Sequence, residues 1–219
     1  MATKHLSRVE FVFFDIGGVL INDFSGTNAK AELLAELGVT AQTRPKMAAI
    51  WDVWAPWACL NADADDLMPI LVATGFRPPT ENYSLLEHGH VRRFSQNQML
   101  WPLLDRLKSE RCGIISNMYP RMLATIKAHQ LMPPAVTSWR HVIDSSVAGL
   151  QKPDEDIYRR ASAHVSADPA DILFVDNLPE NLRAPQRLGW QTFWYDPTNH
   201  QASVKGLATR LQGQPVMLQ

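Results

Sequence analysis

The chain is poor in cysteine, with only Cys59 and Cys112 among 219 residues. Two distant cysteines form neither a short metal-binding pair nor a disulfide framework, so we expect a reducing compartment. An excess of charge of one sign is also lacking, because 21 basic and 22 acidic side chains leave a formal net charge of -1. That balance provides no general attraction for nucleic acid or for an anionic membrane, and we expect neither as a partner.

Long hydrophobic runs are missing too. No apolar stretch reaches the length needed to span a membrane, and the segment Met1 to Leu6 has no apolar core of the kind found in signal peptides. We therefore expect a cytoplasmic protein, either a monomer or a homodimer. A chain of this length can form one well-packed domain with a sizeable insertion, or two small domains.

The most informative stretch that is present runs from Phe11 to Leu20. Its large apolar residues end abruptly at Asp15, and Gly17 and Gly18 follow at once. A continuous apolar run is typical of a central strand in a parallel sheet, and such sheets bind ligands beyond the carboxyl ends of their strands. The same residues also suit a simple turn at the end of a strand, so this stretch alone leaves turn and ligand site open.

The order of predicted elements indicates the fold class. Residues 24–95 have a helical pattern throughout, whereas strand and helix alternate after residue 95. We predict an α/β fold with a doubly wound, mostly parallel, Rossmann-like sheet and an inserted helical cap domain. The core domain would comprise residues 1–23 and 96–219, and the cap domain residues 24–95. Later strands are predicted at 112–115, 141–144, 172–175 and 191–195, and helices at 81–94, 99–110, 120–130, 154–164, 179–188 and 201–211.

Polar side chains follow three of the predicted strands, at Asp15, at Ser116-Asn117 and at Asp176-Asn177. The carboxyl ends of parallel strands share one edge of the sheet, and Lys152 lies in a loop that could reach that edge. A carboxylate can attack a phosphoryl group to form an acyl phosphate, and Mg²⁺ prefers oxygen ligands. Ser116 and neighbouring groups, for which Asn117 and Gly18 are candidates, would hold the phosphate oxygens together with Lys152.

Taken together in this order, four segments resemble the motifs of haloacid dehalogenase-like (HAD) hydrolases: Asp15-x-Gly-Gly-Val, Ile115-Ser116-Asn117, Lys152-Pro153-Asp154 and Phe174-Val175-Asp176-Asn177. The resemblance implies that Asp15 is the nucleophile and that Ser116 and Lys152 orient the phosphate. It also implies that Mg²⁺ is held by Asp15, the Gly17 carbonyl, Asp176 and Asn177. The helical insertion resembles the cap domain of that family.

Two positions depart from the pattern. Phosphatases of this family usually have a second aspartate, a general acid and base, where this chain has Gly17. General acid-base help is worth about 10²–10⁴-fold, so we expect a slow enzyme, a substrate with a good leaving group, or a substitute acid. Asp23, His88 and His90 are the candidates for that acid. The second departure is Asn177, which replaces a frequent acid and would bind a cation more weakly through its amide oxygen.

The sequence thus predicts a magnesium-dependent phosphatase of a small phosphorylated metabolite that forms an aspartyl phosphate. Two alternatives stay open: a metal-independent hydrolase of the haloacid dehalogenase type, and a phosphate-binding or regulatory protein that has lost catalysis. In the cap, the helical spacing of Trp51, Trp54 and Trp57 favours packing between helices, with Trp51 or Trp54 facing the cleft as the alternative.

Overall fold

The computed structural model describes residues 8–218, so the segment Met1 to Leu6 considered above lies outside the described residues. Residues 8–218 contain seven strands. They are β1 (Phe11–Phe14), β2 (Ile21–Asn22), β3 (Ser95–Gln96), β4 (Cys112–Ser116), β5 (His141–Asp144), β6 (Ile172–Asp176) and β7 (Gln191–Trp194).

Five of these strands form one sheet in the order β5-β4-β1-β6-β7, and every neighbouring pair is parallel. Phe14 in β1 pairs with Ile114 in β4 and with Val175 in β6. Strands on both sides of β1 therefore end at nearly the same level. The chain crosses to both sides of β1, which makes the sheet doubly wound and confirms the predicted fold class.

The sequence of β1 explains its central position. Its four residues are all apolar and buried. Because side chains alternate along a strand, Val12 and Phe14 pack into the larger hydrophobic cluster on one face, while Phe11 and Phe13 pack into a second cluster on the other. A strand covered on both faces has no polar side. The first polar residue after β1 is Asp15, which lies just beyond the carboxyl end of the strand.

The described part of the chain contains nine α-helices. They are α1 (Ala29–Glu36), α2 (Arg44–Asn61), α3 (Leu67–Ala73), α4 (Trp101–Leu104), α5 (Met122–Ala128), α6 (Ser145–Ala148), α7 (Glu155–Ala163), α8 (Pro179–Arg187) and α9 (His200–Leu211). No helix within residues 8–218 is both long and apolar enough to cross a membrane.

Two predicted helices differ from the structure. The helix predicted at 99–110 is α-helical only over α4, because the chain then turns to pair with the C-terminal segment, where the Lys108 N–H donates to the Val216 carbonyl at 2.9 Å; a 3-10 turn follows at Ser109–Arg111. The helix predicted at 81–94 is a wide π-helical segment, Leu85–His90, followed by a 3-10 turn, Val91–Arg93. There the Asp65 carboxylate accepts the Leu86 N–H at 3.0 Å, a tertiary contact that periodicity does not reveal.

Strands β2 and β3 form an antiparallel ribbon that the sequence did not predict. Ile21 pairs with Gln96 and Asn22 with Ser95, so the two ends of the helical insertion lie side by side. Two-residue strands carry too little periodicity to be recognised. The ribbon stands where the chain enters and leaves the segment predicted to be the cap domain.

Candidate active site

Lys152 lies between two carboxylates that are distant in sequence. Its Nζ is 2.9 Å from Asp15 Oδ1 and 2.6 Å from Asp176 Oδ2, and its side chain is only 1% exposed. Burial by itself would lower the pKa of Lys152, but Asp15 and Asp176 outweigh burial and raise the pKa above its usual value. The predicted convergence of β1, β6 and the Lys152 loop is therefore present in the structure, and Lys152 carries its charge there.

Asp176 is completely buried, and protein donors occupy both of its oxygens. Its Oδ1 accepts the Leu178 N–H at 2.8 Å, and the Asn181 amide lies 3.1 Å from each oxygen. Burial and the charge of Asp15 raise the pKa of Asp176, against the lowering effect of Lys152. Asp176 was predicted to bind Mg²⁺. In the structure it contacts Lys152 and accepts hydrogen bonds from Leu178 and Asn181, and its role as a metal ligand stays a prediction.

The side chain of Asn117, which was predicted to hold phosphate, contacts the backbone of Lys152. Its Nδ2 donates to the Lys152 carbonyl at 2.8 Å, and its Oδ1 accepts the Lys152 N–H at 2.8 Å. Both ends of the amide are thus used to hold the backbone of the Lys152 loop against the end of β4. Ser116, the last residue of β4, remains at the cleft as predicted.

A cleft of about 310 Å³ opens at this edge of the sheet. Its lining residues are Asp15, Gly17, Asp23, Ser25, Ser116, Asn117, Lys152, Pro153, Asn177, Leu178, Glu180 and Asn181. None of the described residues from 26 to 95 lines it. The polar surface of the cleft is consequently built by the sheet-edge loops and by the short segment that leads into the helical insertion.

Asp23 approaches Gly17 closely. A Cβ atom built on Gly17 would lie 2.4 Å from Asp23 Oδ2, so the Asp23 carboxylate fills the space that a side chain at position 17 would need. Its Oδ1 accepts the Ser25 N–H at 2.7 Å. Burial raises the pKa of Asp23 and the charge of Asp15 adds to this, while hydrogen bonds from Ser25 partly oppose it.

The two histidines considered as substitute acids lie elsewhere. His90 is 3% exposed, its Nδ1 is 2.7 Å from the Leu85 carbonyl oxygen, and burial lowers its pKa to about 4. It is therefore neutral at pH 7. His88 Nδ1 accepts the Ser84 N–H at 3.0 Å. Of the three candidate acids, only Asp23 lines the cleft.

Gly18 packs against Asn177, which lines the cleft. Gly18 has a φ of +71°, and a Cβ there would lie 2.4 Å from Asn177 Nδ2. The contact of Gly18 with phosphate stays a prediction; in this structure the absence of a side chain at Gly18 leaves room for Asn177. The Asn177 Nδ2 donates to Ser25 Oγ at 2.9 Å, and the Asn177 backbone carbonyl accepts the Trp194 indole N–H at 2.9 Å.

The donor set at the cleft fits Mg²⁺. The Asp15 carboxylate, the Gly17 backbone and the Asn177 amide all border it, and hard cations take such oxygen donors and retain several waters. Within residues 8–218 no three His, Cys, Asp or Glu side chains converge as ligands, so a cation depends on backbone and amide oxygens as well. Asp15, Asp23 and Glu180 at the cleft, together with Asp176 behind it, outnumber the one ammonium group of Lys152, and a divalent cation would offset the excess negative charge.

Several contacts hold the helical insertion over this edge. Arg121, which precedes α5, donates from Nε to Asp63 at 2.5 Å and from a terminal nitrogen to Asp65 at 2.9 Å. The Ser145 hydroxyl donates to the Cys59 carbonyl at 2.8 Å. The Trp54 and Tyr119 rings pack 5.4 Å apart. None of these contacts has a sequence signature, because each joins residues from different segments.

The predicted tryptophan packing can be followed for two of the three residues. Trp54 is buried, and the Trp51 ring stacks 6.0 Å from the His90 ring. Neither lines the cleft, as packing between helices predicts. The side chain of Trp57 lies outside the described part of the structure.

No protein-family model matches the sequence, and no curated protein matches it. Solved structures do. A predicted HAD-like family hydrolase from Porphyromonas gingivalis is 19% identical, with a TM-score of 0.69 over 95% of this chain and 100% of its own. A HAD family enzyme from Bacteroides thetaiotaomicron, solved with magnesium and inorganic phosphate, is 14% identical, with a TM-score of 0.64 over 85% of this chain and 94% of its own.

The L-2-haloacid dehalogenase from Xanthobacter autotrophicus is also similar, at 17% identity and a TM-score of 0.57, over 85% of this chain and 77% of its own. The chain therefore has the fold of HAD-like hydrolases. The similar structures include an enzyme complexed with phosphate and a dehalogenase, so the fold by itself leaves the reaction open.

Proposed function

We propose that this chain is a HAD-like hydrolase that removes the phosphoryl group from a small phosphorylated metabolite with the help of Mg²⁺. The observation that supports this most directly is the position of Lys152, whose charged Nζ contacts the carboxylates of Asp15 and Asp176 at the carboxyl edge of the sheet. An aspartate held in this way is a fixed nucleophile, and the ammonium group beside it attracts an anionic substrate.

The contacts of Asp15 distinguish its two oxygens. Oδ1 accepts the Ile16 N–H at 2.7 Å and contacts Lys152 Nζ at 2.9 Å. Oδ2 is therefore the oxygen that attacks phosphorus. The bond between phosphorus and the substrate oxygen breaks as the bond from Oδ2 forms, and Lys152 and Ser116 hold the transferred group in line. A bound Mg²⁺ would offset charge on the phosphoryl oxygens.

Asp23 carries out both proton transfers of the reaction, as general acid and then as general base. In its protonated form, Asp23 donates to the departing alkoxide, and in its ionised form it then removes a proton from water. That water attacks the aspartyl phosphate, which releases inorganic phosphate and regenerates the Asp15 carboxylate. The raised pKa of Asp23 favours the donor form in the first step. Asp23 thus serves as the general acid and base that position 17 lacks.

A dehalogenase reaction is the second candidate. Lys152 neutralises charge between Asp15 and Asp176, so these two carboxylates can coexist without a cation. Dehalogenation also needs no proton donor for its leaving group, which suits Gly17. Against it, Asp23 adds a carboxylate to the cleft and would repel the carboxylate of a haloacid. The polarity of the cleft thus favours phosphate with a cation.

The decisive experiment is hydrolysis of p-nitrophenyl phosphate with and without Mg²⁺, with Asp15→Asn as the inactive control. We expect a rate that needs Mg²⁺ and disappears in Asp15→Asn. If a strong chelator leaves activity intact and 2-haloacids are turned over, the dehalogenase reaction is correct. If phosphate binds but no phosphate ester or acyl phosphate is hydrolysed, the chain is a binding protein.

A further inference from the structure

We propose that Ser25 is a positioning residue that fixes the orientation of the Asn177 amide and thereby sets the affinity of the cleft for a divalent cation. The inference rests on the proposed function, since it concerns the cation of that same site. It assigns a role to a residue outside the four motifs, at the start of the segment that leads from β2 into α1.

The first observation is a direct contact. Asn177 Nδ2 donates to Ser25 Oγ at 2.9 Å, and Asn177 is only 6% exposed. Fixing the NH₂ group of an amide fixes its oxygen as well, because the two share one plane. With its NH₂ group on Ser25, Asn177 has its amide oxygen available to a cation in the cleft that it borders.

The second observation concerns space. A Cβ built on Gly18 would lie 2.8 Å from Asn177 Cγ and 3.1 Å from Ser25 Cβ, so only a residue without a side chain lets both approach. Gly18 also has a φ of +71°, which favours glycine. The glycine at position 18 thus leaves the space in which Ser25 and Asn177 contact each other.

The chemistry of an amide explains why such a residue is needed. Either oxygen of an aspartate can bind a cation, so its orientation matters little. An asparagine presents oxygen on one side and NH₂ on the other, and a flipped Asn177 would direct two N–H bonds at the cation. Replacing an acid by Asn177 therefore creates a need for orientation, which Ser25 meets.

Ser25 also contacts Asp23. Its backbone N–H donates to Asp23 Oδ1 at 2.7 Å, and a hydrogen bond from its hydroxyl lowers the pKa of Asp23 as well. A hydroxyl that donates to Asp23 presents its oxygen as an acceptor, which selects the NH₂ side of Asn177. Ser25→Ala leaves the backbone contact in place but removes the hydroxyl from both Asp23 and Asn177, and the double-mutant cycle below separates the two effects.

The test measures binding of Mn²⁺, a spectroscopic substitute for Mg²⁺, to the full chain by electron paramagnetic resonance and calorimetry. We expect Ser25→Ala to raise the Kd for Mn²⁺ about 10-fold or more, as is typical when a partner of a metal ligand is lost. Ser25→Thr keeps the hydroxyl and should bind like the parent. Thr27→Ala is the matched control, because Thr27 lies in the same segment and its hydroxyl contacts the Asp23 carbonyl at 3.1 Å and the Phe24 carbonyl at 3.2 Å.

A double-mutant cycle separates orientation from general damage. In an Asn177→Ala background, Ser25→Ala should have no further effect on the Kd for Mn²⁺, since its effect acts through Asn177. An additional loss in that background would overturn the inference, as would equal Kd values for the parent and Ser25→Ala, or equal losses in Ser25→Ala and Thr27→Ala. If the parent itself binds no Mn²⁺, the cation is removed from the proposed function and the inference fails with it.

Discussion

Asp23 Oδ2 lies 2.4 Å from the point where a Cβ on Gly17 would stand, so two positions that are separate in sequence compete for the same space. A carboxylate that HAD-like phosphatases usually attach to the first motif is here supplied from the segment after β2. The loop between Asp15 and Ser25 thus retains an acid at the cleft although its motif lacks one.

This relationship predicts a selective loss in Asp23→Ala. Without a proton donor for the leaving group, kcat on an alkyl phosphate should fall about 10²–10⁴-fold, and kcat on p-nitrophenyl phosphate should fall less, because nitrophenolate leaves without a proton. Steady-state kinetics on both substrates gives the comparison. The double variant Gly17→Asp/Asp23→Gly should recover part of the alkyl phosphate activity. Equal losses on both substrates, with no recovery, would show that Asp23 is not the acid.

Lys152→Met should be strongly destabilising. The substitution keeps most of the side-chain volume but leaves the buried carboxylates of Asp15 and Asp176 without their cation. Removing one partner from a buried charge cluster costs about 3–5 kcal/mol of unfolding free energy. Urea unfolding measures the cost, and Lys127→Met, at an exposed position of α5, is the matched control. A loss no larger than that of the control would contradict the buried ion cluster.

Arg121→Ala should loosen the helical insertion with little change in global stability. Arg121 is 60% exposed, and its bonds to Asp63 and Asp65 are screened by solvent, so we expect less than about 1 kcal/mol of unfolding free energy to be lost. Hydrogen exchange of the backbone at residues 59–65 should accelerate, while exchange in β1 stays unchanged. Raising the salt concentration should have the same effect on the parent chain. Unchanged exchange at 59–65 would mean that Arg121 does not hold this segment.

We expect His90 to make part of the unfolding free energy sensitive to acid. Burial lowers its pKa from 6.5 to about 4, so its stabilising contribution is present above pH 6.5 and is lost as the pH falls through about 4. The shift corresponds to about 3 kcal/mol. The charges that act on His90 are Asp65, which raises its pKa, and Arg93, which lowers it.

The unfolding free energy should therefore decline between pH 6.5 and pH 4 more steeply in the parent than in His90→Phe, which has no group to titrate there. Chemical unfolding at a series of pH values measures the two slopes. Identical slopes would contradict a buried, neutral His90.

The sequence was sufficient to predict those parts of the fold that depend on the local pattern of apolar and polar residues. The apolar runs of β1, β4 and β6 predicted buried parallel strands, and the polar residue that ends each run pointed to one edge of the sheet. Such patterns report burial directly, because a covered strand tolerates few polar residues. The roles predicted for the site residues remain predictions, although Asp15, Ser116 and Lys152 lie together as expected.

The remaining features depend on contacts between distant segments. Nothing in the sequence near Asn117 indicates that its amide holds the backbone of Lys152, and nothing near Asp23 indicates that its carboxylate stands over Gly17. Asp23 was nevertheless identifiable as a candidate, because the motif lacked an acid and the next turn contained one. Only the structure shows that Asp23 lines the cleft and that His88 and His90 do not, so the sequence alone could not decide which of them is the substitute acid.

The residues that border the cleft come from outside positions 26–95 in the described structure, and the two ends of that stretch meet in the ribbon of β2 and β3. The side chains of the cleft are accordingly encoded outside the helical stretch. Under the proposed function, we expect substitutions within that stretch to change which substrates are accepted while they leave the reacting groups of the cleft in place.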